Sequence, residues 1–212
     1  MTKGTQTATK YLMGTACAGV FTYGVLVSFL GATLPELRAR LHFGMDESGT
    51  LFTILYLAQI PMVFIAGPLI DRFGKKPVLA SGALVCAVSL LGIAYAPGFF
   101  FLGVLLFVLG LGGSFMNSGS NTLIPELFPE NPSSALNLAN IFFGLGAVFF
   151  PLLITLVATQ LGLAFAMWMI AVIVGAVSVV VLAQRFPAAR SASGFDWQEA
   201  RSVALDPAVI IL

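Results

Sequence analysis

The sequence predicts an all-α integral membrane protein of six transmembrane helices, arranged as two three-helix units of inverted topology. Three observations carry this. Only 9% of the 212 residues are charged while 58% are hydrophobic, against about a quarter charged in a soluble domain. Mean hydropathy is +1.00. The charges also fall in clusters separated by long neutral runs, and similar short strings close the first and fourth of the spans those runs define.

The neutral runs set the elements in order. No Asp, Glu, Lys or Arg occurs between Lys10 and Glu36, Glu47 and Asp71, Lys76 and Glu126, or Glu130 and Arg185. A bilayer crossing needs about 20 apolar residues. The first two runs therefore hold one helix each, near 11–34 and 50–70. The last two are about twice that length and hold two helices each, near 77–96 and 99–124, then 135–158 and 162–184. "APG" (Ala96–Gly98) and "ATQLG" (Ala158–Gly162) supply the turns. The first run exceeds the ~7–15 residues of a signal h-region, which makes it a retained helix. Residues 1–184 form the bundle by this division, 185–204 a cytoplasmic linker, and 205–212 the start of a seventh helix.

Orientation follows from loop cations. With the N-terminus inside, one side carries Lys3, Lys10, Arg72, Lys75, Lys76, Arg185, Arg190 and Arg201, and the other only Arg38 and Arg40. The expected location is the plasma (inner) membrane. "ATLPEL" (Ala32–Leu37) closes span one and "NTLIPEL" (Asn121–Leu127) closes span four, while "GPLI" (Gly67–Ile70) in span two answers "PLLI" (Pro151–Ile154) in span five. Inverted three-helix repeats of this kind build many secondary transporters. Chance similarity between Leu-rich helix ends is the alternative.

Polar side chains inside the spans are unevenly placed. Ser114, Asn117, Ser118 and Asn121 follow i, i+3, i+4, i+7 spacing and share one face of span four. Asn137 and Asn140 lie on span five, Tyr56 and Gln59 on span two, Tyr23 on span one. These nine residues are the candidate solute-binding cleft, lined by spans one, two, four and five, with three and six outside. Interhelical hydrogen-bond glue, at about 0.6 kcal/mol per contact, is the competing account. No ionisable side chain lies within a span, and amides and hydroxyls suit a neutral polyhydroxylated solute. Tyr23, Tyr56 or Phe142 could stack on a sugar ring. A lipophilic solute is not excluded by a chain with 19 Phe.

Nothing points to metal, cofactor or catalytic chemistry. Cys17 and Cys86 sit in apolar runs, His42 stands alone in a charged connector, and no nucleophile–base pair or phosphate loop occurs. A near-zero net charge of +1 argues against a nucleic-acid partner.

The stretch "GPLIDRFGKKPVL" (Gly67–Leu79) concentrates four charges and two glycines between spans two and three. It resembles the loop signature of the major facilitator superfamily, with Gly67, Leu69, Asp71, Arg72, Gly74, Lys75 and Lys76 matching. The resemblance implies one half of a twelve-helix fold and a gating role for the loop. Gly67 would allow close helix approach, Asp71 would face a helix N-terminus of the second half, and Arg72 with the lysines would form ion pairs and anchor at the anionic leaflet.

A narrower likeness covers "GGSFMNSGSNTLIPEL" and "LNLANIFFGLGAVFFP". It is similar to the fucose/glucose–galactose porter branch, through Asn121, Asn137, Gly144 and Gly146. Asn117 and Gly31 stand where that branch carries acidic residues, which puts proton coupling in doubt, and Phe107 lies near where other facilitators place an arginine. The partners so implied are the bilayer, a small solute and a second six-helix half, from the same product or a dimer mate. A non-transporting membrane protein reusing the fold is the other function class.

Overall fold

The computed structural model describes residues 3–186, and every regular element among them is an α-helix. In chain order these are α1 (Lys3–Leu41), α2 (Met45–Leu57), α3 (Gln59–Phe73), α4 (Lys75–Ala94), α5 (Phe99–Leu127), α6 (Pro132–Leu161) and α7 (Leu163–Ala183). Five of them are long and apolar enough to cross a membrane, and α2 with α3 makes a sixth as one bent span. Helices satisfy their own backbone groups, which lipid cannot do. The linker and seventh-helix assignments lie outside the described residues, except for Arg185 and Phe186.

Several boundaries differ from expectation. α1 continues past residue 34 to Leu41, because Arg40 reaches across to the end of α4. Its guanidinium donates to the carbonyls of Ala94 (2.6 Å) and Ile93 (2.9 Å), acceptors that a helix end leaves unpaired. Span two is broken at Ala58, between α2 and α3. Pro61 stands in the first turn of α3, where its missing N–H costs nothing, but its ring would clash with the carbonyl of Leu57 in a continuous helix. At the other end of that span, α2 begins at Met45, where Glu47 accepts from the Gly44 amide at 2.8 Å. Finally, α6 runs on through Leu161, and Gly162 alone makes the turn.

α1 packs against α6 and α5, α5 also against α2, α3 and α4, and α4 is clasped between α5 and α7. Span three, expected on the outside, is packed on two sides within this chain. Within this chain α4 is the most buried span, with Leu79, Leu90 and Ile93 fully enclosed. α1 and α6 cross backbone to backbone. A Cβ on Gly24 would strike the Phe143 carbonyl, and one on Gly146 would strike the Phe21 carbonyl. This reciprocal contact admits only glycine.

The two three-helix units share a joint. Gly74, between α3 and α4, has φ 85° and ψ 165°, and Gly162, between α6 and α7, has φ 91° and ψ 154°. Both lie at positive φ, where a side chain is strained. The same backbone turn thus occurs at equivalent points of each unit.

Candidate functional site

Tyr23 stands where four helices meet. Its hydroxyl donates to Gln59 Oε1 of α3 at 2.7 Å. Its ring lies 5.9 Å from that of Phe143 on α6, tilted by 35°. Gly113 of α5 leaves it room, since a Cβ there would come within 3.5 Å of the tyrosine ring. A narrow crevice beside it is lined by Leu26, Val27, Leu55 and Gly110. Phe142, the residue expected to stack, points elsewhere, because one residue along a helix rotates the side chain by about 100°.

On α5, Asn121 Nδ2 donates to Asn117 Oδ1 at 2.7 Å. One amide NH₂ and one carbonyl oxygen remain free for a ligand, so the pair offers a donor and an acceptor together. Both residues are half-buried, as is Ser118. Ser114 departs from this face. It is buried and donates to the Gly110 carbonyl at 3.0 Å, so its hydroxyl serves its own helix. Asn137 and Asn140 are exposed on α6, and Tyr56 is 43% exposed on α2. Among the described residues none of these three makes a side-chain hydrogen bond. Tyr23 is thereby joined to Gln59, and Asn117 to Asn121, while the other cleft candidates stand apart.

The charged loop is organised around one ion pair. Lys75 is 6% exposed, and its Nζ lies 2.9 and 2.8 Å from the two carboxylate oxygens of Glu126, at the end of α5. Leaflet anchoring is therefore not the role of this lysine: burial removes it from the surface and Glu126 compensates its charge. Gly67, expected to allow close helix approach, makes no such approach among the described residues: it is exposed, and a Cβ there would meet nothing within 4 Å. Asp71 and Arg72 are exposed, with the Arg72 guanidinium 5.2 Å from the Phe73 ring. Lys76 is half-buried. His42 is exposed and Cys17 and Cys86 are buried free thiols.

Two site residues escaped sequence reasoning. Phe143 was hidden in a run of aromatics whose facing only helix phase resolves. Glu126 could have been found, as the one carboxylate on span four at the end facing a surplus of cations.

The family profile of the Major Facilitator Superfamily matches residues 16–211. The chain belongs to the Major Facilitator Superfamily. Among curated relatives it is 30% identical over 140 residues to the uncharacterized MFS-type transporter YfkL of Bacillus subtilis, covering 65% of this chain and 35% of that one. It is 38% identical over 120 residues to the 4-hydroxybenzoate transporter PcaK of Pseudomonas putida, covering 55% of this chain and 26% of that one. This superfamily chain spans about a third of the length of the curated relatives it matches. A crystal structure of a POT peptide transporter superposes with a TM-score of 0.70 at 18% identity, over 96% of this chain and 44% of that one. That likeness speaks for the fold alone.

Proposed function

We propose that these residues form the cleft-bearing half of a secondary transporter that moves a small, neutral, hydrogen-bonding solute such as a sugar by alternating access. A second six-helix half closes the cleft, residues 185–204 link the two, and the protein sits in the inner membrane with its N-terminus cytoplasmic. The reading rests on two uncharged donor–acceptor pairs: Tyr23–Gln59, at the meeting of four helices, and Asn117–Asn121, along α5. Ser118, Asn137, Asn140 and Tyr56 would complete the cleft from the margins. Gly67, Asp71, Arg72, Gly74, Lys75 and Lys76 act as the gate, with the Lys75–Glu126 pair tying the loop to α5. The match to a D-xylose transporter of Levilactobacillus brevis, 25% identical over 113 residues, supports a sugar.

The aromatic pair Tyr23–Phe143 favours a second reading, an aromatic acid, and the relationship to the 4-hydroxybenzoate transporter supports it. Uptake of labelled D-xylose and of labelled 4-hydroxybenzoate by cells expressing the natively encoded protein separates the two. Asn121→Leu is expected to abolish uptake of whichever solute is carried while membrane insertion is unchanged. Normal uptake by the inserted variant would remove the α5 face from the site.

A further inference from the structure

A groove runs along the seam of α1 and α6 on the side away from the cleft. It encloses about 520 Å³ and is lined by Met13, Gly14, Cys17, Phe21, Leu138 and Phe142 among others, with no polar side chain in its wall. Gly14 and Tyr23 are nine residues apart, which at about 100° per residue places them about half a turn out of phase. Phe142 and Asn140, two residues apart, are likewise about 160° apart around α6. Groove and cleft thus occupy opposite flanks of the same two helices.

A polar cavity neighbours the groove. A second cavity, of about 560 Å³, lies between the start of α1 and the α5–α6 connection, lined by Thr9, Lys10, Leu127, Phe128, Glu130 and Asn131. Lys10, Gly14, Cys17 and Phe21 follow i, i+4, i+7, i+11 spacing, so Lys10 heads the same helical face that walls the groove. Among the described residues, neither Lys10 nor Glu130 pairs with another side chain, the one ion pair being Lys75–Glu126. A cation and a carboxylate therefore stand about one helical turn beyond the apolar groove.

We propose that this seam is a phospholipid site selective for a zwitterionic, primary-amine headgroup. The phosphate would lie against Lys10 and the Asn131 amide, the ammonium against Glu130, and an acyl chain along the groove. Charge complementarity decides the headgroup. An anionic lipid would meet Glu130 unfavourably, and a choline headgroup has no N–H to donate to it. Basic pockets between helices at the cytoplasmic face suit lipid phosphates generally; the carboxylate adds discrimination. In the orientation proposed above the lipid belongs to the cytoplasmic leaflet. Failure of the solute assignment leaves this site untouched, because it uses the opposite flanks of α1 and α6.

The test is native mass spectrometry of the natively encoded protein in mild detergent, equilibrated with phosphatidylethanolamine, phosphatidylcholine or phosphatidylglycerol of matched chains. Phosphatidylethanolamine should be retained about tenfold better than either of the others, the scale of one charge-assisted hydrogen bond. Lys10→Gln should remove the preference. So should Gly14→Trp, which fills the groove at a position where a Cβ meets nothing within 4 Å. Gly31→Trp, equally open but at the far end of α1, should retain it. Equal retention of the three lipids, phosphatidylglycerol matching phosphatidylethanolamine, or an undiminished preference in either Lys10→Gln or Gly14→Trp would overturn the proposal. Lys10→Gln is a surface change and serves should the tryptophan variant fail to fold.

Discussion

Lys75 is 6% exposed, and both Glu126 carboxylate oxygens lie within 2.9 Å of its Nζ. Removing one partner of such a pair leaves an uncompensated buried charge, at a cost of about 3–5 kcal/mol, whereas replacing both is far milder. Glu126→Ala, which strands the buried Lys75, should therefore destabilise the protein severely, and Lys75→Met with Glu126→Leu should recover most of the loss. Thermal unfolding in detergent of the single and double variants checks this. Tyr23→Phe makes a smaller change. It deletes the hydroxyl bond to Gln59 but keeps the ring on Phe143, so stability should shift by less than about 1 kcal/mol, while solute uptake falls sharply. A Tyr23→Phe protein with full uptake would make that bond structural only. Much of this site was legible beforehand, since Tyr23, Gln59, Asn117 and Asn121 stand out as polar groups in apolar spans. What escaped was direction. Ser114 shares the spacing of Asn117 and Asn121 yet turns back onto Gly110, because a serine hydroxyl reaches its own i−4 carbonyl and an asparagine pair reaches across one turn.

At the scale of elements, the reciprocal crossing of α1 and α6 and the paired glycine joints set the geometry. Gly146→Leu would drive a side chain into the Phe21 carbonyl, and no rotamer relieves a clash made at Cβ. Loss of folded protein is expected, read as aggregation in fluorescence-detected size exclusion, whereas Gly144→Leu, with open space around its Cβ, should be tolerated. The helices themselves could be read from the gaps between charges, because lipid leaves the chain no other way to satisfy its backbone. Their ends could not. The extension of α1 depends on Arg40 finding carbonyls more than fifty residues away in sequence, and the break in span two depends on a proline whose effect falls four residues upstream.

The whole molecule is lopsided. In the most apolar window of α6 only 17% of residues are buried, against 61% in α4. Val148, Phe149 and Leu152, each over 60% exposed, form an apolar flank that lipid or another set of helices can cover. The proposed second half predicts that an antibody to the N-terminal segment detects, in native membranes, a product about twice the 22.3 kDa of these residues. A band at 22.3 kDa instead, with no dimer captured by a cysteine cross-linker at Val148, on the Asn137 flank of α6, would set the two-half arrangement aside.

The burial of Lys75 has one more consequence. Mobile ions screen exposed charges over about 8–10 Å at physiological ionic strength, and act far less on a pair withdrawn from water. Asp71 and Arg72 stand in the open on the same loop as Lys75. The loop thus carries charges of unlike character: two in the open, whose fields added salt damps, and one fastened inside the fold, on which salt has little hold.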